Sequence, residues 1–404
     1  MFKKIVYILF LYCFLFSPPV AVGSIRFYFG WLLWPFAIYY VLNKSAVFNR
    51  FTKTFRVEFQ IMLYLIVYAF VRVLFGGEFS TPIANILALM SLIAVPFFLV
   101  FYGKKQNFEI NDYIRYILIA GTLASAISFL CLSNPTLDDL VRNRIIQYRE
   151  GEVGYESLYR GFGFGSQLTS HYSFVLGMIV ALGLFFKGHK WFFFAIPVTI
   201  LACFVNARTG VIVGFAGIFV YFLFSGRAAA SIVTFAIGIL TWVYMESILT
   251  ALGASDATLR WTGVFMSDMD TMAAGETQDT TFGYIWNEML VAPKDLLWLL
   301  VGNGYSLFGG KMTEYGYFHS DIGFVNQLSF GGLFYVIPLY YLVYYVIRRF
   351  YRHKQKALSL FIFITFLITN FKGGFVFNTP AFALTLLIYY LVILNDKGIL
   401  IKSK

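Results

Sequence analysis

Charge is what this sequence has least of. Only 13% of its 404 residues are Asp, Glu, Lys or Arg, where soluble domains carry about 25%. With a mean hydropathy of +0.74, a water-soluble globular domain is excluded. Cysteine is scarce as well: Cys13, Cys131 and Cys203 all fall in apolar segments. No metal-ligand spacing and no disulfide framework can be drawn from them. Cys131 and Cys203 sit near the same expected face, but a bridge between them is not expected. Acidic residues number 20 against 31 basic ones. A net charge of +11 would suit nucleic acid, yet the excess is spread over short loops between apolar segments, where the positive-inside rule places it. Internal repeats and low-complexity linkers are absent, so residues 1–404 read as one integral membrane domain.

What the chain has instead is apolar length. Runs near 20 residues, enough to cross a hydrocarbon core, recur from end to end. They cover about 5–23, 27–42, 57–75, 81–102, 113–132, 167–186, 191–205, 210–224, 229–249, 322–347, 357–370 and 380–394. The pattern predicts an all-α polytopic protein of about 12 transmembrane helices. Two long polar loops are expected, at about 133–166 and, between spans 9 and 10, at about 250–320. The first run, with Lys3-Lys4 before it and Ala21-Val22-Gly23 after it, also has the form of a signal peptide; an uncleaved first span is the expectation. The stretch 286–301 is too short and interrupted to span, and suits an interfacial or re-entrant helix.

Twelve spans put both termini on one side. That side collects 19 Lys and Arg and the other 10, despite its longer loops. The asymmetry predicts cytoplasmic termini, with both long loops outside.

The unusual polar groups then fall on the outer side. Arg160 lies in Tyr-Arg-Gly-Phe-Gly-Phe-Gly-Ser before the sixth span, with Gln167, Ser170 and His171 just beyond it. Arg208 lies between two spans with almost no loop around it, Arg260 lies in the second long loop, and His319 closes that loop. Arginines gathered at a membrane surface suit an anionic, lipid-linked substrate, because guanidinium groups bind phosphate oxygens through paired hydrogen bonds. An Arg near a span end also snorkels to lipid phosphates, which leaves two readings open for Arg160. For Arg208 the second reading is weaker, since arginines on the outer side are disfavoured. Ser320-Asp321 before an apolar run has the form of a helix cap, and the same helix start could face a phosphate. The glycines Gly302, Gly304, Gly309 and Gly310 read as turns, without the strand–loop–helix setting of a nucleotide loop.

Three local matches carry a resemblance. Asn206-Ala207-Arg208-Thr209-Gly210 is similar to the small-Arg-Thr/Gly-Gly turn of the O-antigen polymerase and O-antigen ligase superfamily. Leu259-Arg260-Trp261 resembles the Arg that opens that family's large loop. His319-Ser320-Asp321-Ile322-Gly323-Phe324, with Gly331 beyond and Leu300-Val301-Gly302-Asn303-Gly304 before, resembles its His-Asn/Ser motif. The likeness covers about 160–333; elsewhere only hydropathy matches. It implies a bacterial inner-membrane protein of GT-C type fold. Such a protein transfers a glycan from an undecaprenyl-diphosphate carrier, without cofactor or metal, in a polysaccharide (O-antigen, capsule or exopolysaccharide) pathway.

On that resemblance Arg208 and Arg260 hold the diphosphate and His319 activates the acceptor hydroxyl. Arg160, Tyr305, Tyr317, Ser320 and Asp321 contact substrate, with a chain-length regulator and a flippase as possible partners. Polymerase is the first reading, with a second lipid-linked repeat unit as acceptor. The alternative is a ligase acting on lipid A–core, toward which the His-Ser pair pulls. A lipid-linked oligosaccharide flippase is a third. It would carry ionisable groups at the midplane of its spans, whereas Glu58, Arg72, Arg115 and Glu246 are expected near span ends.

Overall fold

The computed structural model describes residues 2–22, 25–77, 79–146, 163–165, 169–186, 189–227, 229, 232–233, 236–237, 240, 243–254, 258–259, 271, 283, 289–290, 293, 295–305, 320, 322–373 and 379–400. Among them the chain is almost wholly helical. Four helices are long and apolar enough to cross a membrane: Arg56–Leu74, Pro82–Lys105, Ile110–Ser133 and Gly323–Arg352. Shorter apolar helices pack with them: Ser170–Phe185, Ile196–Asn206, Arg208–Phe224, Lys356–Asn370 and Pro380–Asp396. This is a membrane protein. Of the twelve expected spans, the ninth, 229–249, falls in part outside the described residues.

The first elements depart from the expected spans. Helix α1 (Phe2–Phe16) stops after 15 residues, because Pro18-Pro19 cannot donate the next helical hydrogen bonds. The chain then forms an antiparallel hairpin, β1 (Pro19–Val22) on β2 (Ile25–Tyr28), before α2 (Leu33–Asn43) begins. The segment read as a basic loop is a ten-residue helix, α3 (Ser45–Thr54). Val47, Phe48 and Phe51 fall on one face of it, while Arg50 and Lys53 stay exposed. That division of faces is the form of an interfacial helix. Next come α4 (Arg56–Leu74), then α5 (Ser80–Leu89) joined by a π turn at Met90–Ala94 to α6 (Val95–Lys105), then α7 (Ile110–Ser133). A short helix, α8 (Pro135–Asp139), follows.

Aromatic rings fill much of the core. Tyr7 packs on Tyr102, Phe108, Tyr113 and Tyr116; Phe51 and Phe55 meet Tyr390 and each other, and Phe51 also meets Phe97. Beside that second cluster lies a buried ion pair, Arg349 Nη1 to Glu58 Oε1 at 2.9 Å. Tyr389 donates to the same carboxylate oxygen, and the guanidinium lies 5.5 Å from the ring centres of both Phe55 and Tyr389. A lone buried carboxylate would be prohibitively costly. The arginine and phenol make it tolerable, and the cluster fastens three helices at one end of the bundle.

Helices α9 (Thr169–Phe185), α10 (Ile196–Asn206) and α11 (Arg208–Phe224) pack with unusually close backbones. A Cβ on Gly210 would sit 1.9 Å from Ser173 Oγ, one on Gly177 would sit 2.3 Å from Gly210 O, and one on Gly217 would sit 2.3 Å from Ala181 Cβ. Ser173, Gly177 and Ala181 therefore face Gly210, Gly214 and Gly217, the small-residue seam by which membrane helices approach without a hydrophobic drive. Helix α12 (Met245–Ala251) follows, and α13 (Leu296–Val301) lies in the second long loop.

The tenth expected span is the main surprise. Its helix, α14 (Gly323–Arg352), contains Gly332 at φ 60, ψ −165. A continuous helix would hold residues sixteen apart at ~24 Å, yet the rings of Phe324 and Tyr340 lie 5.7 Å apart. Tyr340 also donates to Gln327 Oε1 at 2.7 Å. The chain therefore folds back at Gly332 into two limbs. The second, 333–352, rises ~30 Å by itself, the thickness of a hydrocarbon core. The first, 323–331, is a re-entrant arm lying against it. Helices α15 (Lys356–Asn370) and α16 (Pro380–Asp396) complete the bundle.

Candidate functional site

Arg208 opens α11 at a corner with no slack. Asn206 ends α10, Ala207 is extended (φ −162, ψ 128), and Arg208 is already helical. Ser173 Oγ, on α9, lies 2.6 Å from Ala207 O and 2.9 Å from Cys203 O, so one hydroxyl pins the corner. With Gly210 pressed against Ser173, the half-buried Arg208 is held by backbone packing rather than by a mobile loop.

The polar groups on the neighbouring helix stand at the same level. A Cβ on Gly217 would meet Phe361 of α15 at 3.1 Å, and Phe361 also packs on Phe185 at the close of α9. From that contact, nine residues up α11 lead to Arg208. Nine residues along the antiparallel α15 lead to Asn370, a rise of ~13 Å in each case. Asn370 is buried and belongs to a network: Gln327 Nε2 donates to Asn370 Oδ1 at 3.1 Å, and Asn370 Nδ2 lies 3.3 Å from the Tyr340 hydroxyl. Sequence reading missed these three residues. An amide within apolar helices was the available signal, since polar side chains there face other helices or a cavity.

Gln327 belongs to the re-entrant arm, so the arm's entry is carried down to this level as well. Phe324 packs on Phe366 of α15 at 5.8 Å. Ser320, buried, donates to Met289 O at 3.0 Å and accepts from Ile322 N. Asn326 Nδ2 donates back to Ser320 O at 2.6 Å. The expected Ser-Asp cap is thus displaced: Ile322 occupies the N-cap position without a side-chain cap, and Ser320 instead latches the arm to the long loop.

The other end of the arm meets the glycine loop. Asn303 N and Gly304 N donate to Ser329 O and Phe330 O at 2.8 and 3.0 Å. The Tyr68 hydroxyl lies 2.9 Å from both Val301 O and Gly331 O. The carbonyls that a helix leaves open at its C-terminus are thereby satisfied. Gly302 (φ 71) and Gly304 (φ 84) allow this turn. A Cβ on Gly304 would lie 2.6 Å from Gly77 Cα and 3.5 Å from a guanidinium nitrogen of Arg72. Tyr305, expected at a sugar face, donates its hydroxyl to Gly76 O at 2.7 Å. The turns read at Gly302 and Gly304 are therefore joints between the long loop, the arm tip and α4.

Arg160, Arg260, Tyr317, His319 and Asp321 lie outside the described residues, but parts of the chain near Arg160, Arg260, His319 and Asp321 are described. Gly163 and Gly165, just beyond Arg160, wedge against Ser128 and Tyr172. Tyr172 in turn adjoins Ser173 at the Arg208 corner. Leu259, before Arg260, packs on the main core. Ser320 directly follows His319. Among the described residues no cluster of three His, Cys, Asp or Glu side chains could hold a metal.

The chain matches no protein-family model and no curated protein sequence.

Proposed function

We propose that this protein is a GT-C-type glycosyltransferase of the bacterial inner membrane, a polymerase of polysaccharide repeat units. It would move a glycan from undecaprenyl diphosphate onto a second lipid-linked unit at the outer face. The observation that carries this reading is the fold-back at Gly332. It draws the entry of the arm, with His319 next in the chain to Ser320, down to the level of Arg208 and Asn370. As proposed, Arg208, held rigidly at its corner, and His319 act together at that level of the bundle. In this reading Arg208 and Arg260 bind the diphosphate and stabilise the charge that builds on it as the sugar–phosphate bond breaks. His319 takes the proton of the acceptor hydroxyl. The departing diphosphate needs no proton, and Arg160 adds a further phosphate or glycan contact. The His319–Ser320 pair favours a second reading, ligation to lipid A–core.

The test is turnover by the purified protein in detergent, with a lipid-diphosphate oligosaccharide and EDTA present. A product ladder from that substrate alone is the expected result. Product only after lipid A–core is added would make the protein a ligase. No product, with substrate crossing vesicles instead, would end the enzyme reading in favour of a flippase. Arg208→Ala, Arg260→Ala and His319→Ala should each lower turnover by roughly 100-fold or more, with membrane insertion unchanged.

A further inference from the structure

The far end of the bundle, where Arg349 lies, carries a feature that glycan transfer does not use. Between the ends of α2 and α6 and the start of α3 is a cavity of about 710 Å³, lined by Lys44, Lys104, Lys105, Tyr39, Tyr40 and Asn43 among others. Its lining includes no carboxylate. We infer that this cavity is a binding site for the phosphodiester headgroup of an anionic phospholipid.

Lysines at helix ends are common on membrane proteins, so the argument rests on how these are held. Lys44 breaks the chain between α2 and α3 (φ −122, ψ 36), and its N–H is retained by Tyr40 O. The joint therefore fixes the backbone of Lys44 at the cavity mouth. Lys104 and Lys105 close α6, where the helix dipole is negative and favours cations. Lys104 is already occupied, donating to Ile399 O. Lys44 and Lys105 are exposed, and neither forms an ion pair among the described residues. A phosphate oxygen between them would satisfy both.

Two further features point to a lipid rather than a free anion. Helix α3 leaves the cavity with Arg50 and Lys53 exposed opposite its apolar face, the form that rests on an anionic membrane surface. Beside the mouth, Leu42 is 70% exposed and Tyr39 62% exposed, giving acyl chains an apolar wall. Basic pockets between membrane helices bind anionic headgroups in this way.

The probe is native mass spectrometry of the full chain in detergent, with cardiolipin, phosphatidylglycerol and phosphatidylcholine in equal amounts. The wild type should retain the two anionic lipids roughly tenfold better than phosphatidylcholine. Lys44→Gln/Lys105→Gln should lose roughly 20-fold in that retention. Lys44→Arg/Lys105→Arg should keep it, as should the control Lys190→Gln. If the glutamine pair aggregates, Lys105→Gln alone should still show a loss of roughly 5-fold. Equal retention of phosphatidylcholine, or unchanged retention in the glutamine variants, would overturn the site. Displacement of the lipid by millimolar inorganic phosphate would overturn the lipid assignment and leave a free-phosphate site. None of these outcomes depends on whether the protein transfers glycan.

Discussion

A methyl group added at Gly332 would meet two obstacles together. Its φ of 60 with ψ −165 is a region held almost only by glycine, and the new carbon would stand 2.5 Å from Leu300 C and O and from Gly302 N. Gly226 offers the contrast: φ is 73, but nothing lies within 4 Å of a Cβ there. Gly332→Ala should destabilise the protein by roughly 3 kcal/mol or more, and Gly226→Ala by roughly 1 kcal/mol. Thermal unfolding in detergent measures both. A smaller loss at Gly332 than at Gly226 would mean that the fold-back does not depend on this residue. Arg208 raises a different question, of shape rather than charge. Arg208→Lys keeps the cation but loses the planar fork, so turnover should fall roughly tenfold or more with stability unchanged.

Among the elements, the clasp of α4, α14 and α16 is the most exposed to a single change. Glu58→Gln would leave the Arg349 guanidinium largely buried without its counter-charge, because Glu58 has no exposure and Arg349 only 14%. Removing one partner of such a pair costs roughly 3–5 kcal/mol. The double variant Glu58→Gln/Arg349→Gln should recover part of that loss, and unfolding of the singles and the double gives the coupling directly. Equal, additive losses would show that the pair is not acting as one. The elements also show where sequence reading succeeded and failed. Apolar length located α4, α7, α9 and α11 within a few residues, because a helix crossing the bilayer is largely apolar whether it faces lipid or other helices. The re-entrant arm was not legible: residues 323–331 run without a break into the apolar segment that follows, and only a backbone angle at Gly332 reverses them. Helix α3 was legible in principle, since Val47, Phe48 and Phe51, with Phe55 just beyond, keep a helical period, but Arg50 and Lys53, with Lys44 and Arg56 at its two ends, drew the reading of a loop.

On the scale of the whole molecule, the uneven basic charge remains the argument for orientation. A single reporter cysteine placed at Lys397 should react with an impermeant maleimide only in inverted membrane vesicles, and one at Lys372 only from the outer face. The reverse pattern would put Arg208 on the cytoplasmic side and remove the proposed function. Cys131 and Cys203 are buried and Cys13 only half-buried, so Cys13→Ser in the reporter background removes the one native thiol that is partly open. Of the candidate site, Arg208 was legible in the sequence as an arginine between two spans with almost no loop around it. The sequence did not disclose Gln327, Tyr340 and Asn370, which are far apart in the chain and meet only because the arm folds back.

The lengths of α11 and α15 carry one more consequence. With 17 and 15 residues, they rise ~25 and ~22 Å, short of a hydrocarbon core of ~30 Å. The second limb of α14, joined to α15 by a tight turn, spans the full thickness. The molecule is therefore a wall of unequal height, with Arg208 and Asn370 on its low side. A span short of the hydrocarbon core is accommodated by local thinning of the bilayer, by snorkelling of its flanking residues or by association with other helices. A lipid approaching from that side would bring its phosphate down to the arginine, rather than requiring the arginine to reach up to it.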